Sequence, residues 1–284
     1  MTSRIFQCGR FRLPLARPLV MGILNATPDS FSDGGRHASL DQARAHALRM
    51  IAEGVDIIDI GGESTRPGSH AQTLEEELRR VLPVVEALHD CGVPLSVDTC
   101  KPEVMQAVLA AGADMINDIN GFRAAGAIEV VSAGNAGLCV MHMQGDPRTM
   151  QSAPAYANDD VAGEVIAFLR QRCGVLIAAG VSSERLCIDP GFGFGKTVEH
   201  NLALLRHIGT LQATLDLPVL AGLSRKSVLG AITGKPVDQR LAGSIAAVLL
   251  SVARGAQLVR VHDVAETVDA LAVWQAVEMA PAVQ

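Results

Sequence analysis

Short hydrophobic runs alternate along this chain with longer amphipathic stretches. Eight of the runs are almost continuously apolar, which is typical of strands buried on both faces of a parallel sheet. Helical periodicity is clearest in residues 161–179, 200–211 and 265–279. A run followed by a helix, eight times over, predicts an α/β fold of the (β/α)8 TIM-barrel type, and a doubly wound open sheet is the alternative. The runs are 19–24, 55–60, 93–97, 115–119, 138–143, 185–188, 219–223 and 258–261.

Three pairs of residues have the spacing of helix starts. In two pairs a hydroxyl residue is followed three positions later by Gln or Glu, which is the capping-box pattern. In the third pair a proline stands where the first turn of a helix would be, a position that favours proline. The pairs are Ser39 with Gln42, Thr73 with Glu76, and Thr99 with Pro102. They predict helices after the first, second and third strands.

Residues 1–284 contain no linker or low-complexity tract, which predicts a single domain. A length of 284 residues is normal for a (β/α)8 barrel and is sufficient to bury a large core. Residues 1–15 precede the first strand. We expect them to form a short hairpin that plugs the bottom of the barrel.

Composition narrows the classes of function. The formal net charge is −6 and only 3% of residues are aromatic. Both values argue against binding nucleic acid, because its phosphates repel an acidic protein and its bases stack on aromatic rings. The most apolar stretch, 241–253, is too short to span a bilayer, and residues 1–17 lack the apolar core of a signal peptide. The six cysteines have no metal-like spacing, so we expect a cytoplasmic protein without a membrane partner.

Polar side chains follow every predicted strand, at the end where barrel enzymes carry their catalytic groups. Each has a simpler structural explanation: Asp98, Thr99 or Ser224 could cap a helix, and Glu63 with Arg66 could be a solvated ion pair. Eight such ends together favour a functional site, because a barrel needs no polar ring for stability. The ends carry Asn25; residues 61–67; Asp98 and Thr99; Asn117 and Asp118; His142 and Gln144; Asp189 and Lys196; residues 224–227; and Arg260 and His262.

The polar residues divide into two groups with different chemistry. Arg260 and His262 lie two apart on one strand and so face the same side, where they could form an anion site with Asn25, Thr65 and Arg66. The amide oxygen of Asn25 could help to hold Mg²⁺ that is bound mainly by phosphate oxygens.

The second group contains two carboxylates, an amide and an ammonium, which suit a flat heterocycle. A carboxylate can accept from two ring N–H groups at once, and an ammonium can donate to a ring carbonyl. Gly222 and the glycines of 191–195 would permit close approach of a planar ring. The members of this group are Asp98, Asn117, Asp189 and Lys226.

Eight motifs in this order resemble those of the dihydropteroate synthase family of folate biosynthesis. They are NATPDSFSDG at 25–34, GGESTRPG at 61–68, SVDT at 96–99, IND at 116–118, MHMQG at 141–145, IDPGFGFGK at 188–196, GLSRKS at 222–227 and RVHDV at 260–264. The resemblance covers the whole chain, and no matched functional position departs from the family pattern. It implies a (β/α)8 barrel, usually a homodimer, that condenses 6-hydroxymethyl-7,8-dihydropterin pyrophosphate with p-aminobenzoate. The products would be 7,8-dihydropteroate and pyrophosphate.

The resemblance also implies a role for individual residues. The pterin would be held by Asp98, Asn117, Asp189 and Lys226 and lined by Ile119, Met141, Phe194 and Gly222. The pyrophosphate would contact Asn25, Thr65, Arg66, Arg260 and His262, with Mg²⁺ on Asn25. Phe31, Pro67 and Ser227 would form the pocket for p-aminobenzoate and sulfonamides. Catalysis would fall to Asp98, Lys226, Arg260 and His262.

The sequence shows no general base beside the amine site, which favours a dissociative path. In that path pyrophosphate leaves first, and loops 26–38 and 62–72 then order around p-aminobenzoate. Two other functions remain as alternatives. One is a pterin-binding module that is non-catalytic or carries methyltetrahydrofolate to a cobalamin partner, which should lack the pyrophosphate residues. The other is a phosphate-binding lyase or isomerase, which would need a Schiff-base Lys inside a strand or a Glu at a strand end.

Overall fold

The structure is a computed structural model that describes residues 4–26, 36–63, 72–146 and 149–279. Its main sheet has eight parallel strands in the order β8-β7-β6-β5-β4-β3-β10-β9. A parallel bridge from Ile188 to Val219 joins the two ends of that order. The sheet therefore closes into a barrel, as predicted, and the open-sheet alternative is wrong. The barrel strands are β3 (Leu19–Asn25), β4 (Ile57–Gly61), β5 (Leu95–Asp98), β6 (Met115–Asp118), β7 (Gly137–Met141), β8 (Leu186–Asp189), β9 (Leu220–Ala221) and β10 (Leu258–Val261).

Helices follow the strands and cover the outside of the barrel. They are α1 (Arg36–Ala52), α2 (Leu74–Leu88), α3 (Pro102–Ala110), α4 (Ala127–Ser132), α5 (Val161–Ala178), α6 (Val198–Arg206), α7 (Ile208–Leu215), α8 (Ser227–Thr233), α9 (Leu241–Val252) and α10 (Val264–Met279). Between helices and barrel lies a continuous layer of buried aliphatic side chains. None of the helices within the described ranges is long and apolar enough to cross a membrane.

The predicted N-terminal hairpin is present. Strands β1 (Ile5–Cys8) and β2 (Phe11–Pro14) pair in antiparallel fashion. The side chains of Phe6 and Cys8 are fully buried among the residues that fill the lower half of the barrel. Those residues are Leu19, Met21, Ile57, Met115, Cys139, Cys187, Leu220 and Leu258. The hairpin thus closes the end of the barrel at which the strands begin.

Two of the predicted helix starts differ in detail from the structure. Thr73 caps α2 as expected, because its hydroxyl accepts a hydrogen bond from the Glu76 amide at 3.2 Å. Helix α1 begins at Arg36, so Ser39 lies inside the helix and is not its cap. Helix α3 begins at Pro102, but the residue that caps it is Lys101, and the Thr99 hydroxyl instead accepts from the Lys101 amide.

The predicted helix over 200–211 is also divided. His207 separates α6 from α7, and its amide closes the end of α6 on the carbonyls of Ala203 and Leu204. The chain therefore turns at His207, although apolar residues continue at helical spacing on both sides. Periodicity reports which residues are buried, and a short bend between two helices does not interrupt it.

Candidate active site

The side chains that point into the barrel come from alternate residues of each strand. Register pairs Asn25 with Gly61, Gly61 with Asp98, and Asp98 with Asn117. These residues therefore lie at one level, at the end of the barrel where the strands finish. The lower half of the interior is apolar and the upper half is polar. The sequence-predicted site residues at 98, 117, 189, 222, 226, 260 and 262 all belong to the upper end.

Asp189 and Lys226, which the resemblance assigns to the pterin, come together near Gly222. A methyl group placed on Gly222 would lie 3.7 Å from Asp189 Oδ2, 3.9 Å from Arg260 Cβ and 4.0 Å from Lys226 Nζ. A carboxylate oxygen, an ammonium and the Cβ atom of Arg260 thus surround one open position at the barrel mouth. A planar ring at that position could be read by the carboxylate and the ammonium together.

Burial shifts the pKa values of both Asp189 and Lys226. It raises the pKa of Asp189, although Lys226 opposes the shift, and one carboxylate oxygen accepts from the Gly191 amide at 2.7 Å. Burial lowers the pKa of Lys226 to about 8, with Asp189 acting against it. The Lys226 ammonium lies 4.6 Å from the centre of the Phe194 ring and donates to the Phe192 carbonyl. An ammonium held this way is directed toward the ligand position rather than toward solvent.

An apolar wall stands beside these polar groups. Ile119, Met141 and Phe194, which the sequence assigned to the pterin pocket, pack in one buried cluster with Met143 and Met150. Sulfur and aromatic side chains of this kind adapt to the face of a flat ring. The structure therefore brings the predicted polar and apolar residues of the pocket together.

The glycines that we expect to permit close approach of a planar ring have different surroundings. Gly191 adopts a φ of +71°, and a Cβ there would lie 1.8 Å from the His142 carbonyl oxygen. A Cβ on Gly195 would lie 2.6 Å from the Gln144 carbonyl oxygen. Both glycines are thus required for packing the 191–195 segment against the strand-end segment at 142–144. A Cβ on Gly222 or on Gly193 would instead face Lys226, at 4.0 Å from Nζ and 3.4 Å from Cδ respectively.

Arg260 links the two predicted groups. Its Nε donates to Asp59 Oδ2 at 2.6 Å and its Nη2 donates to Asp98 Oδ2 at 3.1 Å. Burial raises the pKa of Asp98 to about 7, although Arg260 lowers it, because desolvation outweighs the neighbouring charge and Asp59 adds repulsion. The two carboxylates together raise the pKa of Arg260. The guanidinium is therefore a permanent cation at the barrel mouth.

His262 is in contact with Ser224 through both its side chain and its backbone. The Ser224 hydroxyl lies 3.0 Å from His262 Nδ1 and accepts from the His262 amide at 3.2 Å. Ser224 thus orients the imidazole and does not cap a helix. Both His262 and Arg260 stand on or just past β10, which supports a shared anion site.

The remaining predicted residues lie either at the rim of the barrel or outside the residues that the structure describes. Asn25 is exposed at the end of β3, and Ser227 is exposed at the first position of α8. Phe31, Thr65, Arg66 and Pro67 lie outside the described residues, so their assigned roles stay predictions. The same holds for the larger parts of loops 26–38 and 62–72. Glu63, at the edge of the described part, pairs with Lys101 at 2.6 Å.

Asp59 was missed from the sequence, and Lys196 was noted there only as a polar residue after a strand. Asp59 is fully buried in β4 and accepts from both Arg260 and Asn117. Its signal was a carboxylate in the middle of an apolar run. Lys196 is also buried, 3.0 Å from His142 Nδ1, and desolvation lowers its pKa to about 7 and that of His142 to about 3. Lys196 also donates to the Phe194 carbonyl at 3.0 Å, so it fixes the segment that presents Phe194.

Comparison with known proteins agrees with this geometry. Residues 21–262 match the family model for pterin binding enzymes. A dihydropteroate synthase from Neisseria meningitidis serogroup B is 49% identical over 282 residues, covering 97% of this chain and 98% of that one.

Solved structures show the same similarity. The Burkholderia cenocepacia dihydropteroate synthase complexed with 7,8-dihydropteroate is 56% identical, with a TM-score of 0.88 over 98% of each chain. The Xanthomonas albilineans dihydropteroate synthase with 4-aminobenzoic acid is 54% identical, with a TM-score of 0.91 over 99% of this chain and 100% of that one. This chain therefore belongs to the pterin binding enzymes and, within them, to the dihydropteroate synthases.

Proposed function

We propose that the polar end of the barrel is where this chain performs the dihydropteroate synthase reaction. It joins 6-hydroxymethyl-7,8-dihydropterin pyrophosphate to p-aminobenzoate and releases 7,8-dihydropteroate and pyrophosphate. The observation that carries this assignment is the convergence of Asp189, Lys226 and Arg260 around Gly222. That convergence places hydrogen-bonding groups for a heterocycle directly beside a permanent cation for an anion.

The pterin half of the substrate occupies the open position above Gly222. Asp189 accepts from neighbouring ring N–H groups, Lys226 donates to the ring carbonyl, and Asn117 completes the polar edge. Ile119, Met141 and Phe194 cover the faces of the ring. This arrangement is supported by the contacts already described, in which Phe194 of the apolar cluster lies against the Lys226 ammonium.

The pyrophosphate half lies toward Arg260 and His262. When the C–O bond between the pterin methylene and pyrophosphate breaks, the oxygen keeps the electron pair. The guanidinium and imidazole stabilise the negative charge that develops. The methylene becomes cationic, and its charge is delocalised into the pterin ring beside the carboxylate of Asp98. Thr65 and Arg66 would add further contacts.

Mg²⁺ would assist the departure of pyrophosphate by neutralising phosphate oxygens. Asn25 would hold it, because an exposed amide oxygen at the barrel mouth is a hard ligand. The ranges described contain no group of three or more His, Cys, Asp or Glu side chains able to hold a metal. A single amide oxygen from Asn25 suits an ion whose other ligands are oxygens of the substrate.

The second substrate attacks after pyrophosphate has left. The amine lone pair of p-aminobenzoate forms the new C–N bond and one amine proton is then lost, so no strong base is needed beforehand. The carboxylate of p-aminobenzoate would lie by Ser227 at the start of α8, with Phe31 and Pro67 forming the rest of the pocket. The seven residues of α8 begin directly after Lys226, so both substrates would meet at one turn.

A homodimer would form through α9 and α10. These two helices pack together and expose Leu250 and Val273, which are 45% and 67% exposed. Apolar side chains in an exposed cluster favour association. A cytoplasmic location is supported by the six cysteines, all of which are free thiols.

Pyrophosphate release tests the reaction and its order together. The purified protein is mixed with the pterin substrate, with and without p-aminobenzoate, and pyrophosphate is measured. Stoichiometric release with p-aminobenzoate supports the synthase, and no release under either condition contradicts it. Positional isotope exchange in the substrate pyrophosphate without p-aminobenzoate supports the dissociative path, and its absence with p-aminobenzoate analogues present favours concerted displacement.

A further inference from the structure

Asp59 occupies the middle of β4, on the inner face of the barrel, with a fully buried side chain. A single oxygen of its carboxylate, Oδ2, accepts from Arg260 Nε at 2.6 Å and from Asn117 Nδ2 at 3.2 Å. Those two donors come from β10 and β6 and belong to the pyrophosphate half and the pterin half of the proposed site. One buried carboxylate therefore connects both halves from below.

The carboxylate also determines which way the Asn117 amide faces. An ionised carboxylate can only accept hydrogen bonds, so Asn117 must direct its NH2 group toward Asp59. The amide oxygen of Asn117 is then left buried, with no hydrogen-bond partner among the residues that the structure describes. Because an unpaired buried acceptor is costly, a ligand with an N–H group at that position gains from pairing with it.

Asp59 likewise fixes the guanidinium of Arg260. Nε is held by Asp59 and Nη2 by Asp98, while Nη1 has no hydrogen bond to any residue in the described ranges. The Arg260 side chain is 21% exposed and Asp59 is not exposed at all, so the guanidinium is anchored on its inner edge. The donors that remain can meet an anion arriving from the barrel mouth.

We propose that Asp59 is a positioning residue that fixes the orientations of Asn117 and Arg260. It thereby makes the pterin pocket specific for a ligand that donates an N–H group to Asn117. This inference rests on the proposed assignment of Asn117 to the pterin and Arg260 to pyrophosphate. Asp59 itself does not touch the reacting atoms; it acts through the two residues it holds.

An exchange of the two side chains tests the proposal. In the double variant Asp59→Asn, Asn117→Asp, the new amide donates to the new carboxylate. Position 117 then still offers an acceptor to the ligand, whereas Arg260 loses its inner anchor. The single variant Asp59→Asn allows the Asn117 amide to turn over, and Asn117→Asp alone places two carboxylates against each other.

Affinities are measured by calorimetry with 6-hydroxymethylpterin for the pterin half and inorganic pyrophosphate for the anion half. We expect Asp59→Asn to weaken both ligands by about tenfold or more. The double variant should recover 6-hydroxymethylpterin affinity to within about threefold of the original chain. Its pyrophosphate affinity and kcat should stay as low as those of Asp59→Asn. A purely structural role for Asp59 would not produce this split.

Ser96→Ala is the matched control. Ser96 is the register neighbour of Asp59 on β5, is fully buried, and has a hydroxyl that makes no hydrogen bond to any described residue. Its removal disturbs the same level of the barrel without touching Asn117 or Arg260, so both affinities should change less than about twofold. A loss as large as that of Asp59→Asn would overturn the proposal, as would a double variant no better than the single ones.

If Asp59→Asn does not fold, the proposal can still be tested by NMR of the Asn117 side-chain amide in the unaltered chain. The side-chain amide protons of Asn117 are assigned by NMR through their disappearance in Asn117→Asp or in the double variant. Slow exchange with solvent and proximity to the Arg260 Nε proton are expected, and exchange at the rate of an exposed amide overturns the inference. If the original chain binds 6-hydroxymethylpterin but makes no dihydropteroate, the proposed function fails while the role of Asp59 is still tested.

Discussion

The two ends of the barrel interior are built from the same eight strands but have opposite chemistry. At the end where the strands begin, Phe6, Met115 and Leu258 belong to a cluster of buried apolar side chains that fills the space. At the other end, Asp98 and Asp189 are buried beside the partly exposed Arg260, and Asp59 and Asn117 each keep one oxygen with no hydrogen bond within the described part of the chain. Apolar packing at the lower end stabilises the folded chain. Burial of charged groups at the upper end destabilises it, because water would solvate those charges better.

The contrast predicts that substitutions at the upper end reduce ligand binding and those at the lower end reduce stability. The largest effect on binding should come from Asp189→Ala. It removes the carboxylate that accepts hydrogen bonds from the ring, and it takes a neighbouring negative charge away from the Lys226 ammonium. We expect pterin affinity to fall by at least about 100-fold in calorimetry.

Asp90→Ala is the control for that variant, because Asp90 is an acid whose side chain is 80% exposed on the surface. It should leave pterin affinity unchanged. Unchanged affinity in Asp189→Ala itself would contradict the assignment of this carboxylate to the pterin.

The matching change at the lower end is Phe6→Ala. Phe6 is fully buried in the apolar cluster and its ring touches Gly137 closely enough to exclude a side chain there. Removing a buried aromatic ring should lower the free energy of unfolding by about 3–5 kcal/mol, measured by urea denaturation. Pterin affinity of the folded fraction should not change, and a parallel loss of affinity would show that the two ends are not independent.

The same contrast explains how much could be predicted from the sequence. The barrel and its polar strand ends follow from short apolar runs that are each followed by a helical stretch, which is a local property of the sequence. Register then brings Asp98 and Asn117 side by side because parallel strands end at one edge. Thr73, whose cap depends on residues three positions away, was also predicted correctly.

Relations that depend on distant partners were not visible in the sequence. Asp59 and Arg260 are 201 residues apart, and no local pattern indicates that they pair. The glycines of 191–195 were assigned to the ligand because glycine permits close approach, but the sequence does not say what approaches. For Gly191 the answer is the His142 backbone. A charged residue inside an apolar run, as at Asp59, is the signal that a distant partner exists.

A smaller effect on binding is expected from Gly222→Ala. The added methyl group would meet only ordinary contacts of 3.7 Å or more, and φ at Gly222 is not in the left-handed region, so stability should change little. The methyl group would nevertheless occupy the position where the ring must lie. We expect pterin affinity to fall by about tenfold, which corresponds to about 1.4 kcal/mol.

Gly134→Ala is the matched control, since a methyl group there meets nothing within 4 Å and the position is remote from the strand ends. Its pterin affinity should equal that of the original chain. If Gly222→Ala binds pterin normally, the ring does not lie over Gly222 and the proposed pocket is misplaced.

The smallest expected effect is a dependence of kcat/KM on pH. It tests whether the upper end of the barrel acts through charged groups or only through neutral polar ones. Because burial raises the pKa of Asp98 to about 7, acidification protonates this carboxyl and removes the negative charge that stabilises the pterin cation. Between pH 7.5 and 6.5 the ionised fraction falls about threefold, so kcat/KM should fall by about the same factor.

The opposite limb comes from Lys226, whose pKa of about 8 means that its ammonium is lost as the pH rises further. The profile of kcat/KM should therefore be bell-shaped and narrow. Asp98→Asn tests the assignment, because its residual activity should lose the acid limb and retain the basic one. Substitution of Asp98 that lowers the rate but leaves the acid limb in place would assign that limb to another group. The contrast between the two ends of the barrel would then rest on packing and hydrogen bonding alone.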